Sequence, residues 1–241
     1  MPSSQNRRSL SAAIAITLLL LVVSPTMAAD NQLTAAEQEA GWNLLFDGES
    51  LANWKNNNGK PIAEGAVQDG TINTHGVGGY VLVYDQEFAD FEFTCDVKKG
   101  KDDANSGVFL RVSDLADPVM TGTEVQVYSS GTGLTDFGAI YDLVPASKIA
   151  TKAAGEWNNL LIRCEGPMIS SFVNGELVAE LNCDDFDQPG LRPDGTKHKF
   201  SRAIKDFARK GYVGLQDHGD DVWYKNIKLR EIDGDEQTKS N

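Results

Sequence analysis

Hydrophobic and polar residues alternate with a period of two at residues 91–98. Phe91, Phe93, Cys95 and Val97 fall on one side, and Glu92, Thr94, Asp96 and Lys98 on the other. Successive side chains of a strand point to opposite faces, so this run predicts a strand buried on one face. Shorter apolar runs predict further strands at 80–84, 107–112, 124–128, 157–164, 168–173, 176–181, 212–216 and 222–231. Asn174-Gly175, between two of them, predicts a two-residue hairpin turn, because both residues tolerate the positive φ that such turns need. Helical patterning is scarce. Thr34 with Glu37 predicts a capping box on a short helix that stops before Gly41-Trp42. Residues 201–208 place Ile204, Phe207 and Ala208 on one helical face. Many short strands separated by Gly, Asn and Asp predict an all-β, two-sheet antiparallel sandwich of jelly-roll type, with one or two short helices.

The two ends depart from that pattern. Arg7 and Arg8 precede an apolar run from Leu10 to Val23, and small residues close the segment at Ala29. That is the order of a secretory leader, and the run is shorter than a membrane span. The expected organisation is a leader at 1–29, a short helix or linker at 30–40, one β domain at 41–232 and a polar tail at 233–241. Such a leader implies export, periplasmic or extracellular, with no stable membrane insertion after cleavage. The chain has 35 Asp and Glu against 22 Lys and Arg, a net charge of −13. Loss of the leader, which holds two arginines and no acid, makes it more acidic still. This argues against nucleic acid and anionic membranes as partners, since both require clustered cations. Cys95, Cys164 and Cys183 allow at most one disulfide.

No CxxC, HExxH, GxSxG or P-loop pattern is present. His75-Gly76-Val77-Gly78-Gly79 leads into a strand, which suits a mobile loop better than a phosphate cradle. Asp184-Asp185-Phe186-Asp187 reads as a solvated acidic turn more readily than as a Ca²⁺ site. In Glu124-Val125-Gln126-Val127-Tyr128 the polar residues share one face and the valines take the core face. One acid there is too few for the carboxylate pair of ordinary glycoside hydrolysis. Along 107–112, Val108, Leu110 and Val112 point one way and Phe109 and Arg111 the other, so Arg111 is either a surface residue or a pocket cation. His218, beside Asp217 at a strand end, is either a turn cap or an acid/base group. Trp157 and Trp223 lie in predicted strands and are expected in the core. Trp54, in a Gly- and Asn-rich stretch, is the better candidate for ligand contact.

The series Gly41-Trp42-Asn43-Leu44-Leu45-Phe46-Asp47-Gly48 through Trp54, then Ala104-Asn105-Ser106-Gly107-Val108-Phe109-Leu110-Arg111, Glu124-Val125-Gln126 and Gly138-Ala139-Ile140-Tyr141, resembles the motifs of a known family. Gly155-Glu156-Trp157-Asn158, Val173-Asn174-Gly175 and Gly214-Leu215-Gln216-Asp217-His218-Gly219 with Lys225-Asn226-Ile227 complete the order. This is the 3-keto-disaccharide hydrolase family, also described as 3-keto-glucoside lyase/hydratase, with a concanavalin A-like jelly roll. The resemblance covers about residues 41 to 232. Tyr128, where the pattern carries a polar and often acidic residue, and the stretch 184–208 depart from it.

The resemblance implies an enzyme acting on a small 3-keto-sugar or glycoside. A ketone at C3 acidifies the C2 hydrogen, a base removes it, the C1 substituent leaves by β-elimination, and water adds across the glycal. Net hydrolysis then needs no carboxylate pair. It also implies proton transfer by Glu124 and His218, in either order. Arg111 and Gln126 would hold substrate oxygens, with Tyr141 binding a hydroxyl and Asp217 orienting His218. The resemblance names no certain cofactor. A divalent metal held by Glu124 and His218 could replace an organic oxyanion site, although nothing at ligand spacing calls for one. The rival reading is a non-catalytic carbohydrate-binding sandwich, since the fold serves both. A third is a structural domain in which these residues form a surface ion-pair network.

Overall fold

The computed structural model describes residues 29–232, so the expected leader up to residue 28 and the polar tail fall outside the described residues. In chain order the strands are β1 (Asn43–Leu44), β2 (Trp54–Asn56), β3 (Val67–Gln68), β4 (Thr71–Asn73), β5 (Val81–Phe88), β6 (Phe91–Lys99) and β7 (Ser106–Val112). Then follow β8 (Thr123–Val127), β9 (Asn158–Glu165), β10 (Met168–Val173), β11 (Glu176–Asn182), β12 (Gly211–Gln216) and β13 (Val222–Glu231). They form two antiparallel sheets. One has eight strands in the order β11-β10-β9-β6-β13-β4-β3, with β1 beside β13; the other has five, β2-β5-β12-β7-β8. The two sheets face each other as a jelly-roll sandwich.

The alternation read at 91–98 is the reason β6 sits centrally. Phe91, Phe93, Cys95 and Val97 are fully buried between the sheets, where a buried Phe or Val contributes about 1.5–3 kcal/mol. From the five-stranded sheet, Val108, Leu110, Val125 and Val127 fill the same core. The hairpin between β10 and β11 turns at Asn174 (φ 51°) and Gly175 (φ 83°), both in the left-handed region. Thr34 and Glu37 make both bonds of the capping box on a helix, α1 (Ala35–Glu39).

Three expectations are corrected. Residues 201–208 do not form an α-helix: Ala203 and Phe207 are extended, and one 3₁₀ turn at Ile204–Asp206 delivers Ile204 and Phe207 to the core instead. Val112 does not share the core face with Leu110. Gly214 and Tyr212 of β12 pair with Phe109 and Val112 of β7, so β7 holds one residue more than its partner. That bulge, with Arg111 at φ 51°, turns Val112 outward beside Phe109, Val81 and Val83. The tryptophans exchange places. Trp54 is a buried strand residue whose Nε1 donates to the Leu45 carbonyl and whose ring meets Tyr84 edge-on. Trp157 and Trp223 are only half-buried. All three cysteines are buried free thiols, within the limit of at most one bridge.

Some of the polar groups inside the sandwich are joined across strands. Ser106 Oγ donates to the Gln216 carbonyl, and the Tyr224 hydroxyl lies 2.8 Å from Ser106 Oγ. Lys99 is almost fully buried and donates to the carbonyls of Asp102 and Tyr128. The Ser106 bonds tie β7, β12 and β13 together, and Lys99 ties β6 to the end of β8 in the five-stranded sheet.

Candidate active site

That end of the sheet carries an open cavity of about 250 Å³ on its outer face. At ~30 Å³ per water this is the space of a single sugar ring. Glu124 and Gln126 rise from β8 and Gln216 from β12. Asn105, Tyr80 and His218 come from the connections at the same end. Thr135 and Tyr141 come from the loop after β8, and Lys199 from the irregular stretch 184–208. The period-two reading of β8 holds here: Val125 and Val127 point into the core, which leaves Glu124 and Gln126 facing outward.

Space for the Glu124 carboxylate depends on Gly107 in the neighbouring strand. A Cβ at that position would lie 2.0 Å from Glu124 Oε1. Glu124 is only 6 % exposed, and its Oε1 finds no hydrogen-bond partner among the described residues. Burial pushes its carboxyl up to about 8, with the Lys199 ammonium pulling the other way. An unpaired buried acid is costly, and retention of one on a cavity floor is characteristic of an acid/base group.

The surrounding groups are oriented by each other. Gln126 Nε2 donates to Asn105 Oδ1 at 2.7 Å and to the Ser106 carbonyl at 3.2 Å, which leaves its amide oxygen to accept from a ligand. Gln216 Nε2 donates to the Tyr80 hydroxyl at 2.8 Å, which frees the Tyr80 proton for a further acceptor. Burial, and secondarily Glu124, raise the Tyr80 phenol to about 12, so it stays protonated. Lys199 Nζ stands 4.0 Å over the Tyr141 ring. Burial lowers its ammonium, and Glu124 opposes that shift. His218 is exposed at the rim, with its ring 6.4 Å from that of Tyr80.

The structure thus gathers Glu124, Gln126, Tyr141 and His218 around one cavity, and it removes three other candidates. Arg111 is buried away from it. Its Nε donates to the Ala89 carbonyl, Nη1 to the Gly166 carbonyl and Nη2 to Asp90 Oδ1, all at 2.7–2.8 Å. The bulge turns this side chain off the Phe109 face, so it serves as a structural clamp. Asp217 does not orient His218; its carboxylate accepts from the backbone N–H of Gly76 and of Gly219 and shapes the turn. Trp54 lies in the core, as described above. Lys199, Tyr80, Gln216, Asn105 and Thr135 are the lining residues that the pattern did not single out. Gln216 and Asn105 lie inside the motifs quoted above, whereas Lys199 comes from a stretch with neither periodicity nor motif.

The donor set does not suit a divalent metal. The cavity offers one carboxylate and one imidazole, and no group of three His, Cys, Asp or Glu gathers at ligand distances among the described residues.

A family model described as the 3-keto-alpha-glucoside-1,2-lyase-like domain matches residues 41–230. The chain belongs to that family. A 3-keto-disaccharide hydrolase of Bacteroides thetaiotaomicron is 25% identical to it over 233 residues, covering 80% of this chain and 79% of its own. The crystal structure of a candidate glycosyl hydrolase from Parabacteroides distasonis is 28% identical, with a TM-score of 0.69 over 79% of this chain and 99% of its own. A second from the same organism, 24% identical, has a TM-score of 0.69 over 85% and 100% and shares the fold. In this member of the lyase-like family, then, the β8 strand and the ends of β7 and β12 supply the cavity floor, while the stretch 184–208 adds a lysine to its wall.

Proposed function

We propose that the chain cleaves 3-keto-glycosides by elimination and hydration, with Glu124 as the base. The observation that carries this reading is the buried, unpaired Glu124 carboxyl at the floor of a sugar-sized cavity. Its raised proton affinity suits removal of a weakly acidic C–H near neutral pH. The Glu124 carboxylate takes the C2 proton, and the electron pair moves to give an enediolate with its charge on the C3 oxygen. Lys199, a cation among the cavity lining residues, holds that oxygen, as a preorganised donor must. Collapse forms the C1–C2 double bond and breaks the bond from C1 to the leaving oxygen, which takes a proton from His218 at the rim. Water then adds its oxygen to C1, and a proton returns to C2. The Gln126 amide oxygen and the Tyr141 hydroxyl hold the remaining sugar hydroxyls.

The requirement for a ketone separates this chemistry from ordinary glycoside hydrolysis. Purified protein releases hexose from a 3-keto-disaccharide and none from the same disaccharide with its C3 alcohol intact. Release from both sinks the elimination route, and release from neither supports the carbohydrate-binding reading.

Lys199→Met tests the oxyanion role. Loss of one charged donor at a developing oxyanion costs about 10²–10³-fold in kcat. Because the Lys199 charge lowers the proton affinity of Glu124, its removal also shifts the rising limb of the pH–rate profile to higher pH. A drop in rate with an unmoved profile would contradict this placement of the lysine.

A further inference from the structure

The outer face of the eight-stranded sheet carries a second groove, on the other side of the sandwich from Glu124. The register of β13 on β6 sets Trp223 opposite Lys98. Val97 pairs with Asn158 on the other side, which brings the preceding Trp157 next to Lys98 in the same cross-strand row. Lys98 Nζ lies 5.0 Å from the ring centroid of Trp157 and 4.8 Å from that of Trp223, so the lysine is held between two indoles. Lys225 Nζ lies 4.6 Å from the Trp157 ring and pairs with Asp30 at 2.6 Å. The β3–β4 turn forms one bank, with Gln68 and Asp69 exposed. Trp223 Nε1 donates to Gln68 Oε1 at 3.3 Å. The groove encloses about 430 Å³.

Two half-buried tryptophans line this groove on an outer sheet face, and indoles that keep one part in water and one part packed are favoured at contact sites. The polar rim decides what kind. Amide, carboxylate and ammonium groups around indole faces match a sugar, whose C–H face stacks while its hydroxyls both donate and accept. Asp30 and Asp69 stand beside the two lysines and offset their charge, which favours a neutral ligand over an anionic one. We infer that this groove is a second saccharide site, which takes a neutral oligosaccharide on the Trp157 and Trp223 platform and holds the enzyme to a glycan while the catalytic cavity stays free.

The choice of glucose-built probes rests on the proposed function; the site itself does not. Calorimetric titration of the full protein with maltohexaose and with cellohexaose should show binding of at least one. Neither carries the C3 ketone, so turnover does not interfere. Trp157→Ala and Trp223→Ala should each weaken that binding by about tenfold or more. Turnover of a small 3-keto-disaccharide should remain within about twofold, since neither residue lines the cavity. Gln68→Ala, at an exposed turn, keeps the fold whatever the tryptophan variants do and should weaken binding several-fold. Absence of binding by both probes overturns the inference. So does binding that survives the groove variants and disappears in Lys199→Met, which would put the sugar in the catalytic cavity. Polygalacturonate binding in place of the neutral probes would overturn the ligand class. A protein that binds through the tryptophans but cleaves nothing would instead sink the proposed reaction and leave this site standing.

Discussion

Glu124→Gln sharply lowers turnover and makes the protein more resistant to alkali. The two effects have one cause. Burial disfavours the charged form and pushes the carboxyl up to about 8 in the fold, from an ordinary value of 4.5. Below pH 4.5 the group is neutral in both folded and unfolded chains and costs nothing. Between pH 4.5 and 8 the unfolded chain loses the proton and the folded one keeps it, so stability declines as pH rises and levels off above 8. The full span corresponds to an effect on the order of 5 kcal/mol. Gln keeps the shape and cannot ionise. Thermal unfolding should therefore show the variant gaining on the wild type as pH rises from 5 to 9, with the gap closing towards pH 4.5. Turnover falls by about 10²–10⁴-fold, the usual contribution of a general base. In the wild type, kcat/KM rises with pH to an inflection near 8. Equal stability of the two proteins at pH 9 would mean that the carboxyl is not strained, and the base assignment would lose its footing.

Arg111→Ala acts in the opposite sense, with a large loss of stability and little direct effect on chemistry. The guanidinium joins three separate points, the Ala89 and Gly166 carbonyls and the Asp90 carboxylate, while only 3 % exposed. Removing it leaves a carboxylate and two carbonyls without their donor at the end of β7, and breaking such a pair costs about 3–5 kcal/mol. For a domain of this size, roughly 2–4 °C is lost per kcal/mol, so the melting temperature should fall by about 10 °C. The fraction that remains folded should keep its kcat/KM within a few-fold. Arg111→Lys rescues little, since one ammonium cannot reproduce the planar fork. A variant that melts normally but fails to turn over substrate would return Arg111 to the active site.

Where the chain alternates strictly, its faces were legible: β6 buries the four apolar residues that the pattern selects, and β8 presents Glu124 and Gln126 together. The misreading of Arg111 began one strand away. A single extra residue in β7 shifts the alternation, and nothing in Leu110-Arg111-Val112 marks the bulge before the β12 register is known. Lys199 was hidden for a different reason. It arrives on an irregular segment anchored by long-range contacts, such as its backbone N–H donating to Asp142 Oδ2, and long-range contacts leave no periodic trace. The tryptophans show the limit of residue type as a guide. Trp54 donates its N–H to a carbonyl inside the core, whereas Trp157 and Trp223 lie half-buried on the outer face with the Lys98 ammonium over their rings, and the Trp223 N–H donates to Gln68. The apolar pattern at 201–208 was real, yet a single 3₁₀ turn buries Ile204 and Phe207 without a helix.

The most direct test of the central claim is turnover of a 3-keto-disaccharide in D₂O, with the product read by mass spectrometry and proton NMR. If Glu124 removes the C2 proton and water later adds across the double bond, the released 3-keto-hexose carries deuterium at C2 from the first turnovers. Product kept in D₂O without enzyme for the same time should acquire far less. Release of a 3-keto-hexose that retains its original hydrogen at C2 would mean that the glycosidic bond breaks without elimination, and would contradict the mechanism built on Glu124.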